Sequence, residues 1–417
     1  MAHAIFTDPP QAGRLLTGLD ADQLRDLARA REVPNQWGVA VYHSKVSSRS
    51  ARRTFLVERP TAEHESLLRQ VRQHLAGQEL VCLDRQIGAG TGESFTFRYY
   101  VTRPYAHLAY MMFRNLFAPS RPVEQPDIVV VQVPEWPEIC ILVHPSEDGR
   151  MYTWVMGSDY YGEGKMGGLR AAMHILREFR GGLGLHAGSK LYHLRDNGQL
   201  RSVGVLIFGL SGTGKTTITV NDHGLKAPEG ITILQDDINF LMPGTRCYGT
   251  EESFYIKTDS LSSQPELLQA VQRPEVICEN VWVNPDGTID FDNQTISTNG
   301  RAIVPRRAIP HTADTIDMDR VDVILFNTRR YDLPPIGRLT SPAQMAAVLM
   351  LGESTITSAD DPSRVGESLR VVAFDPFILT DPHRQGNVFY QLIKDRPIQA
   401  FVVNTGKIGG MEEGIKI

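Results

Sequence analysis

The chain has 417 residues, and its 41% hydrophobic and 22% charged residues are typical of a folded globular protein. Disordered and collagen-like classes are therefore excluded. Lys and Arg total 43 against 48 Asp and Glu, so the net charge of -5 indicates neither nucleic acid nor an anionic membrane as the main partner. A small anionic molecule held in a local basic pocket is compatible with this balance.

Export and membrane signals are absent from the sequence. No apolar run is long enough to cross a bilayer, and the first residues lack the basic start and apolar core of a secretory leader. The four cysteines, at positions 82, 140, 247 and 278, lie far apart and form no C-x-x-C pair. We therefore expect a cytoplasmic protein whose cysteines are buried, reduced thiols.

Hydrophobic periodicity predicts a mixed α/β fold in the first part of the chain. Helices are predicted over residues 21–31, 61–75, 105–117 and 169–179. Two strands, over residues 128–133 and 139–143, precede the last of these helices. We expect the two strands to be neighbours in one sheet, because only a Pro-containing turn separates them.

The second part of the chain is organised around one strand–loop–helix unit. An apolar strand over residues 203–208 leads into the loop 209–214, and a helix is predicted to begin near Lys215. A second strand, over residues 231–234, is followed by Asp236 and Asp237. Further on, a strand is predicted over residues 323–326.

The last predicted helix has clear start and stop signals. It follows Ser341, with Pro342 at the first helical position and Gly352 past its end. Residues 357–368 predict either a surface loop or a mobile lid. We expect an N-terminal α/β substrate-side domain over residues 1–195 and a P-loop nucleotide-binding domain over residues 196–417.

The loop after residue 208 carries the first chemical signal. Its sequence, G-L-S-G-T-G-K-T, fits the pattern G-x-x-x-x-G-K-[ST], in which backbone N–H groups and a helix N-terminus surround a polyphosphate. The lysine would neutralise phosphate charge, and the following hydroxyl and the acidic pair after the second strand would hold Mg²⁺. A plain turn would leave the lysine and three glycines unexplained. The cofactor-binding candidates are Gly209, Ser211, Gly212, Thr213, Gly214, Lys215, Thr216 and Thr217.

Further short motifs occur in a fixed order along nearly the whole chain. They lie at residues 48–50 (S-R-S), 160–167 (Y-Y-G-E-G-K-M-G), 185–189 (L-H-A-G-S), 235–237 (Q-D-D), 254–257 (F-Y-I-K), 279–281 (E-N-V), 298–301 (T-N-G-R), 333–335 (L-P-P) and 403–406 (V-N-T-G). Together with the phosphate loop, this series resembles the ATP-dependent phosphoenolpyruvate carboxykinases. Several collinear motifs are far more specific than one loop.

The resemblance implies two domains with a P-loop nucleotide-binding core and a site in the cleft between them. It implies the conversion of oxaloacetate and ATP to phosphoenolpyruvate, CO₂ and ADP. It also implies roles by position. Arg49 and Arg301 would bind the substrate carboxylate beside Tyr160, and Lys165, Ser211 and Lys257 would contact substrate or phosphate. Lys215 and Thr216 would hold ATP and Mg²⁺, with Asp236 supporting Mg²⁺. His186 and Asp237 would ligate a second metal, typically Mn²⁺. Lys165, Lys215, Lys257 and Arg301 are thus the catalytic candidates.

The sequence departs from the family pattern in four places. Met166 replaces the second of two adjacent lysines, and a thioether is a poor ligand for Mn²⁺ or Mg²⁺. The basic adenine-binding segment after V-N-T-G is not preserved, and about a fifth to a quarter of the family's length is missing. Residues 328–332 read T-R-R-Y-D before L-P-P, and Gly352 is followed by Glu-Ser at the expected start of the lid.

These departures affect metal, lid and nucleobase, whereas the phosphate residues are intact. The main hypothesis is therefore an ATP-dependent small-molecule kinase for a carboxylate-bearing acceptor. The alternatives are a genuine carboxykinase and a non-catalytic nucleotide-binding sensor. Single residues also have purely structural interpretations: His186 as a core histidine, Arg49 and Lys257 as surface residues, Tyr160 and Met166 as packing residues, and Arg306 and Arg307 as solvated charges.

Overall fold

A computed structural model describes residues 4–46, 50–210, 212–259, 261–356, 364, 366–409 and 415–416. The chain forms two compact units, and neither is one continuous stretch of sequence. Unit 1 comprises Met1–Ile175 and Glu251–Ile309, and unit 2 comprises Leu176–Thr250 and Pro310–Ile417.

The regular elements of the described residues are numbered here in chain order. The helices are α1 (Ala4–Thr7), α2 (Ala21–Ala28), α3 (Ala62–Ala76), α4 (Ala106–Asn115), α5 (Tyr161–Phe179), α6 (Lys215–Val220), α7 (Pro265–Val271), α8 (Pro342–Leu351) and α9 (Pro382–Ile393). The strands are β1 (Arg14–Leu16), β2 (Ala40–Tyr42), β3 (Thr54–Leu56), β4 (Glu79–Ile87), β5 (Phe95–Thr102), β6 (Ile128–Val133), β7 (Cys140–Pro145), β8 (Met151–Met156), β9 (Leu183–Asp196), β10 (Gln199–Phe208), β11 (Gly230–Gln235), β12 (Ile238–Leu241), β13 (Cys247–Gly249), β14 (Phe254–Lys257), β15 (Ile277–Glu279), β16 (Trp282–Val283), β17 (Ile289–Asp290), β18 (Arg301–Val304), β19 (Val323–Thr328), β20 (Ile336–Leu339), β21 (Glu353–Thr355), β22 (Ser368–Arg370), β23 (Gln399–Asn404), β24 (Lys407–Ile408) and β25 (Ile415–Lys416).

Two sheets organise the described part of unit 1. The larger has the strand order β1-β4-β5-β6-β8-β7-β3, and the smaller has the order β14-β18-β15-β2. Helix α3 packs Leu68 and Leu75 into an apolar cluster with Trp154 of β8 on one face of the large sheet. Because β2 pairs in parallel with β15, residues 251–309 belong with the N-terminal part of the chain.

The structure corrects two expectations within unit 1. Strands β6 and β7 are not neighbours, because β8 lies between them and pairs with both. Helix α5 begins at Tyr161, well before the predicted start at residue 169. Its early glycines let it lie against the large sheet, since a Cβ at Gly164 would overlap the Gln132 side chain and one at Gly168 would lie 2.7 Å from Phe97. Close packing therefore outweighs the low helix propensity of glycine.

Unit 2 is built on a mixed sheet. Among the described strands its order is β13-β12-β9-β10-β19-β23-β20, and β11 also pairs with β9. Strands β10, β19 and β23 are parallel, with Phe208 opposite Phe326 and Phe326 opposite Val402. Their carboxyl ends therefore meet at one edge of the sheet, where ligands commonly bind in α/β folds.

The division into units differs from the predicted split between residues 195 and 196. That position falls within the hairpin formed by β9 and β10, in which Asp196 pairs with Gln199. A boundary there would separate two strands that are hydrogen-bonded over ten residue pairs. The other predicted helices and strands occur close to their expected positions, and Ser341 caps α8 by accepting a hydrogen bond from the N–H of Gln344.

Three further expectations concern surface and composition. All four cysteines are unpaired, although Cys82 and Cys140 are only partly buried. No helix in the described ranges has the length and apolar character needed to span a membrane. Of the predicted loop or lid, residues 357–363 and 365 lie outside the described residues.

Substitution in the core of unit 1 tests this packing. Leu68→Ala removes a fully buried side chain, and we expect the free energy of unfolding to fall by about 2–5 kcal/mol. The matched control, Leu15→Ala, affects a side chain that is 46% exposed, and its effect should stay within about 0.5 kcal/mol. Urea unfolding of unit 1, followed by Trp fluorescence, measures both changes; equal losses in the two variants would contradict the assignment of the core.

Candidate functional site

The edge of the unit 2 sheet collects residues from three parts of the chain. The phosphate loop follows β10, and Asp236 and Asp237 connect β11 to β12. Strand β9 runs antiparallel to β10, with Ala187 opposite Phe208, so its residue His186 lies at the same edge as the loop. The N–H of Ala187 donates to the carbonyl oxygen of Asp237 at 2.9 Å, which holds the acidic turn against β9.

The phosphate loop has the backbone conformation that its glycines allow. Gly212 and Gly214 have φ angles of +71° and +82°, in the left-handed region that favours glycine. Thr213 is buried, and its hydroxyl donates to the carbonyl of Leu210 at 2.7 Å. The hydroxyl of Thr405, beyond β23, donates to the carbonyl of Thr213 at 2.8 Å. The segment after β23 therefore holds the loop from the side.

Three charged or titratable side chains converge beside the loop. The Nζ of Lys215 lies 3.0 Å from Nε2 of His186 and 3.8 Å from Oδ1 of Asp237. Nε2 of His186 lies 3.2 Å from the same carboxylate oxygen. All three side chains are largely buried, with 12%, 15% and 23% of the Lys215, His186 and Asp237 side chains exposed. We call this group the lysine–histidine–aspartate cluster.

The hydrogen-bond network determines which nitrogen of His186 carries the proton. Nδ1 donates to the carbonyl of Phe374 at 2.8 Å, which leaves a lone pair on Nε2. Burial lowers the pKa of His186, and the Lys215 charge lowers it further, against the opposing effect of Asp237. An unprotonated Nε2 and a carboxylate oxygen repel each other at this distance, so a cation is needed beside the two atoms. Lys215 supplies one, and two such donors 3.2 Å apart also suit a divalent cation.

The carbonyl that orients His186 belongs to an unusual backbone segment. Ala373 and Phe374 have φ angles of +58° and +54°, a conformation that non-glycine residues rarely adopt. The Phe374 ring stacks on Phe326 at 5.9 Å between ring centroids, and both rings lie in the core of unit 2. The aromatic packing therefore holds a strained turn whose carbonyl fixes the ring of His186.

The remaining candidates near the loop differ in position. The hydroxyl of Thr216 donates to Oδ2 of Asp236 at 3.3 Å, so a hydroxyl and a carboxylate form a pair of hard oxygen ligands. Thr217 is exposed on α6, and Ser211 lies outside the described residues. Within the described ranges, no three His, Cys, Asp or Glu side chains converge on one point as a complete metal site. The side chains present fit a cation that completes its coordination with phosphate oxygens and water, as Mg²⁺ does.

A second cluster lies on the small sheet of unit 1. Arg301 of β18 pairs with Lys257 of β14 and with Glu279 of β15, so three ionisable side chains share one row and one face. The guanidinium of Arg301 lies 5.3 Å from the ring centroid of Tyr255, on the same face, and its Nε donates to Asn299 at 3.0 Å.

Hydrogen bonds link this row to Tyr160. The amide of Asn299 donates to the Tyr160 hydroxyl at 3.0 Å, and the Tyr255 hydroxyl lies 3.3 Å from the same oxygen. The Tyr255 hydroxyl is also 2.9 Å from Oε2 of Glu279, whose Oε1 accepts from the N–H of Tyr161 at 2.7 Å. Tyr160 is 2% exposed. The side-chain amide of Asn299 connects its hydroxyl to the guanidinium of Arg301. We call these residues the arginine–tyrosine cluster.

Burial raises the pKa of Glu279 to about 8, despite the hydrogen bonds from Tyr161 and Tyr255 and the charge of Arg301, which lower it. Glu279 is therefore largely protonated at neutral pH. A neutral carboxyl does not cancel the positive charge of the neighbouring Arg301. The guanidinium fork suits a carboxylate, with which it can form two parallel hydrogen bonds.

Lys165 is held by a buried carboxylate. Its Nζ donates to Oε1 of Glu251 at 3.0 Å, and both side chains are at most 2% exposed. The same oxygen accepts from the amide of Asn115 at 2.7 Å, and the Lys165 ammonium lies 4.8 Å from the Tyr255 ring centroid. The neighbouring Met166 is 2% exposed, in agreement with its interpretation as a packing residue.

The outcome for the other arginines is mixed. Arg49 lies outside the described residues. On one side of it, the backbone N–H of Val46 donates to the carboxylate of Asp159 at 3.0 Å. On the other side, the backbone N–H of Ser50 donates to the carboxylate of Glu163 at 2.7 Å. Arg307 is 75% exposed, as predicted. The expectation for Arg306 was wrong: it stacks at 4.7 Å on the Phe254 ring, and burial lowers its pKa to about 10.

Sequence reasoning gave no role to several residues that shape these clusters. Glu279 and Asn299 belong to the motifs E-N-V and T-N-G-R, so a signal was present without a chemical reason for it. Glu251 and Phe374 stand in no recognised motif. Their contributions depend on contacts between distant segments, as in the bond from His186 to Phe374.

An α/β fold whose sheet edge carries a P-loop, a lysine and paired carboxylates is typical of enzymes that bind nucleoside triphosphates. The chain belongs to the phosphoenolpyruvate carboxykinase family, whose sequence profile matches residues 18–417. The resemblance inferred from the motifs is thereby confirmed.

Three similar proteins bear the name phosphoenolpyruvate carboxykinase (ATP). The protein of Aeropyrum pernix is 40% identical over 382 residues, which cover 92% of this chain and 77% of that protein. The protein of Rhizobium etli is 26% identical over 372 residues, which cover 84% of this chain and 65% of that protein. The protein of Staphylococcus haemolyticus is 28% identical over 259 residues, which cover 61% of this chain and 46% of that protein. This chain thus spans about half to three quarters of these relatives.

Titration of Glu279 predicts a pH-dependent stability. Its pKa is about 8 in the folded protein against an ordinary value of 4.5, so the folded state retains a proton that the unfolded chain releases. This contribution of Glu279 to the free energy of unfolding is fully present below pH 4.5 and is lost as the pH rises to about 8. Glu279→Gln removes this titration, so its stability relative to the wild type should increase between pH 5 and pH 8.

The measurement is the urea midpoint of each variant across this pH range. Glu266→Gln is the matched control, because Glu266 is exposed on α7 of the same unit. Its curve should run parallel to that of the wild type. A parallel curve for Glu279→Gln as well would show that Glu279 ionises normally.

Proposed function

We propose that this protein is a genuine ATP-dependent phosphoenolpyruvate carboxykinase, which converts oxaloacetate and ATP to phosphoenolpyruvate, CO₂ and ADP. The lysine–histidine–aspartate cluster beside an intact phosphate loop carries the proposal. Family membership and the 40% identity to the Aeropyrum pernix protein support it. They favour this alternative over the main hypothesis of a kinase with a different acceptor.

The phosphate loop and α6 bind the ATP phosphates in this proposal. Backbone N–H groups of the loop and the N-terminus of α6 surround the phosphate chain. Lys215 turns from His186 towards the transferring phosphoryl group, whose charge is spread over its oxygens. Thr216 and Asp236 would hold Mg²⁺, and His186 with Asp237 would hold a second divalent cation. Such cations supply positive charge for phosphates and for an enolate oxygen.

The arginine–tyrosine cluster binds oxaloacetate. Arg301 forms a bidentate contact with a carboxylate, and Tyr160 lies beside it; Arg49 contributes a second guanidinium. Cleavage of the bond to the departing carboxylate releases CO₂ and leaves its electron pair as an enolate. The enolate oxygen then attacks the γ-phosphorus of ATP, and ADP departs. Lys257, in the same row as Arg301, supplies positive charge beside the bound oxaloacetate, whereas the charge of Lys165 is neutralised by Glu251.

The kinase hypothesis retains two supporting observations. Met166 stands where the family pattern has a second lysine, and Lys165 itself is paired with Glu251 at 3.0 Å. Both features reduce the cationic and ligating groups available to stabilise an enolate. A kinase acting on a stable hydroxyl acceptor would not need them.

One assay separates the functions. Purified protein is incubated with ATP, Mg²⁺ and Mn²⁺, with and without oxaloacetate, while ADP and phosphoenolpyruvate are measured. Formation of both products in equal amounts, dependent on oxaloacetate, supports the carboxykinase. ADP formation with another carboxylate-bearing acceptor but no phosphoenolpyruvate supports the kinase. ATP binding without ADP formation from any acceptor supports the sensor.

Removal of the loop lysine tests the nucleotide half of the proposal. Lys215→Ala should lower kcat/KM at least about a hundredfold, because it deletes the cation that faces the transferring phosphoryl group. Lys226→Ala, at an exposed position after α6, is the control and should retain full activity. A Lys215→Ala enzyme with wild-type kcat/KM would refute the role assigned to the loop.

Arg301 tests the substrate half. Arg301→Lys retains the charge but loses the fork, so the KM for oxaloacetate should rise at least about tenfold while the KM for ATP stays within about twofold. Arg307→Lys is the control, because this side chain is 75% exposed. An unchanged KM for oxaloacetate in Arg301→Lys would place the substrate carboxylate elsewhere.

A further inference from the structure

Strand β9 carries a lysine that no motif includes. Lys190 is 0% exposed, although long charged side chains are almost never fully buried without partners. It stands two residues after Gly188, so both face the same side of β9. A Cβ at Gly188 would overlap the hydroxyl of Thr219, which shows that this side of the strand lies directly against α6.

The ammonium of Lys190 binds the end of the phosphate-loop helix. Its Nζ lies 2.6 Å from the carbonyl oxygen of Ile218, 3.3 Å from that of Thr219 and 2.9 Å from that of Asn221. These three carbonyls belong to the last turn of α6 and the residue that follows it. The three N–H donors of an ammonium therefore match three carbonyl acceptors.

The surroundings of Lys190 act on its charge in opposite directions. The ammonium lies 4.6 Å from the Tyr192 ring centroid and 3.2 Å from Nε2 of His223. Burial lowers the pKa of Lys190 to about 7, and the negative charge of Asp222 opposes this shift. The carbonyl end of a helix also carries partial negative charge, which favours a cation.

Helix α6 depends on such support more than a longer helix would. It has only 6 residues, fewer than a helix needs to persist by itself in water. Its first two residues are Lys215 and Thr216, which carry the chemistry of the phosphate loop. Any movement of its C-terminal end therefore also displaces these two side chains.

We propose that Lys190 is a positioning residue for ATP: it fixes the C-terminal carbonyls of α6 to β9 and thereby holds Lys215, Thr216 and the loop in their phosphate-binding geometry. This inference rests on the proposed function, because it requires the loop to bind ATP. It adds a contact on the opposite end of the helix from the ligand. The simpler alternative is that Lys190 only stabilises the fold.

Lys190→Met tests the proposal, because it keeps the length of the side chain and removes all three donors. The Kd for Mg²⁺–ATP, measured by titration calorimetry, should rise at least about tenfold. The KM for oxaloacetate should stay within about twofold. Hydrogen exchange of the amides of residues 216–220 should accelerate, while that of the remaining unit 2 strands stays unchanged.

Leu191→Ala is the matched control. Leu191 is the next residue of β9, faces the other side and packs against the core of unit 2. It should lower the thermal midpoint and leave the Kd for ATP within about twofold of the wild type. If it weakens ATP binding as much as Lys190→Met does, general destabilisation explains both and the proposal is refuted.

Lys190→Gln provides a second variant should the methionine variant fail to fold. Its amide keeps two donors on a shorter chain that cannot reach all three carbonyls, so the Kd for ATP should rise severalfold. A wild-type Kd in either folded variant would overturn the role of Lys190 and leave the proposed function intact. A wild-type protein that binds no ATP would instead overturn the proposed function and this inference together.

Discussion

Strand β9 is the constraint on which the nucleotide half of the molecule depends. It pairs with β10 along one side and with β11 and β12 along the other, so it is hydrogen-bonded over nearly its whole length. The strand places His186 at the sheet edge, leaves space for α6 at Gly188 and binds the end of that helix through Lys190. Both ends of the phosphate-loop helix therefore contact residues of the same strand. The distance between these two contacts is set by the β-sheet rather than by the loop.

The two clusters balance buried charge in different ways. In unit 2 the positive charge of Lys215 lies beside a neutral imidazole and a carboxylate, and the carboxylate compensates it. In unit 1 the carboxyl of Glu279 is largely neutral, because burial penalises its ionised form. The neutral carboxyl therefore does not cancel the charge of Arg301 in the same row, whereas Glu251 neutralises the charge of Lys165. Anion binding needs the former arrangement, and a stable core needs the latter.

Local sequence signals predicted what depends on local physics. The P-loop, the start of α6 and the caps of α8 follow from glycine conformations, helix termini and the Ser341 cap, and the structure reproduces them. The insertion of β8 between β6 and β7 could not be predicted, because strand order depends on long-range pairing that short apolar runs do not encode. The early start of α5 was missed for a related reason: its glycines indicate a loop until the sheet beneath them is known.

The candidate site shows the same limit. The motifs singled out His186, Asp237, Lys215 and Arg301 as candidates, because the chemistry of phosphate and carboxylate binding restricts which residue types can serve. It did not identify the Phe374 carbonyl, which any residue could provide and which depends on a strained turn far along the chain. Backbone groups and buried partners leave little trace in side-chain chemistry, so they must be found in three dimensions.

Met166, which stands where the family pattern has a second lysine, bears on metal binding. A neutral lysine would add a nitrogen ligand, but a thioether adds none that Mn²⁺ or Mg²⁺ prefers. His186 and Asp237 nevertheless retain two donor atoms 3.2 Å apart, and the tautomer of His186 is fixed by a backbone carbonyl. Outer-sphere orientation of this kind raises the affinity of the ligands that remain. In the proposed function a second cation would therefore depend on His186 and Asp237, and this reconciles the substitution with membership in a carboxykinase family.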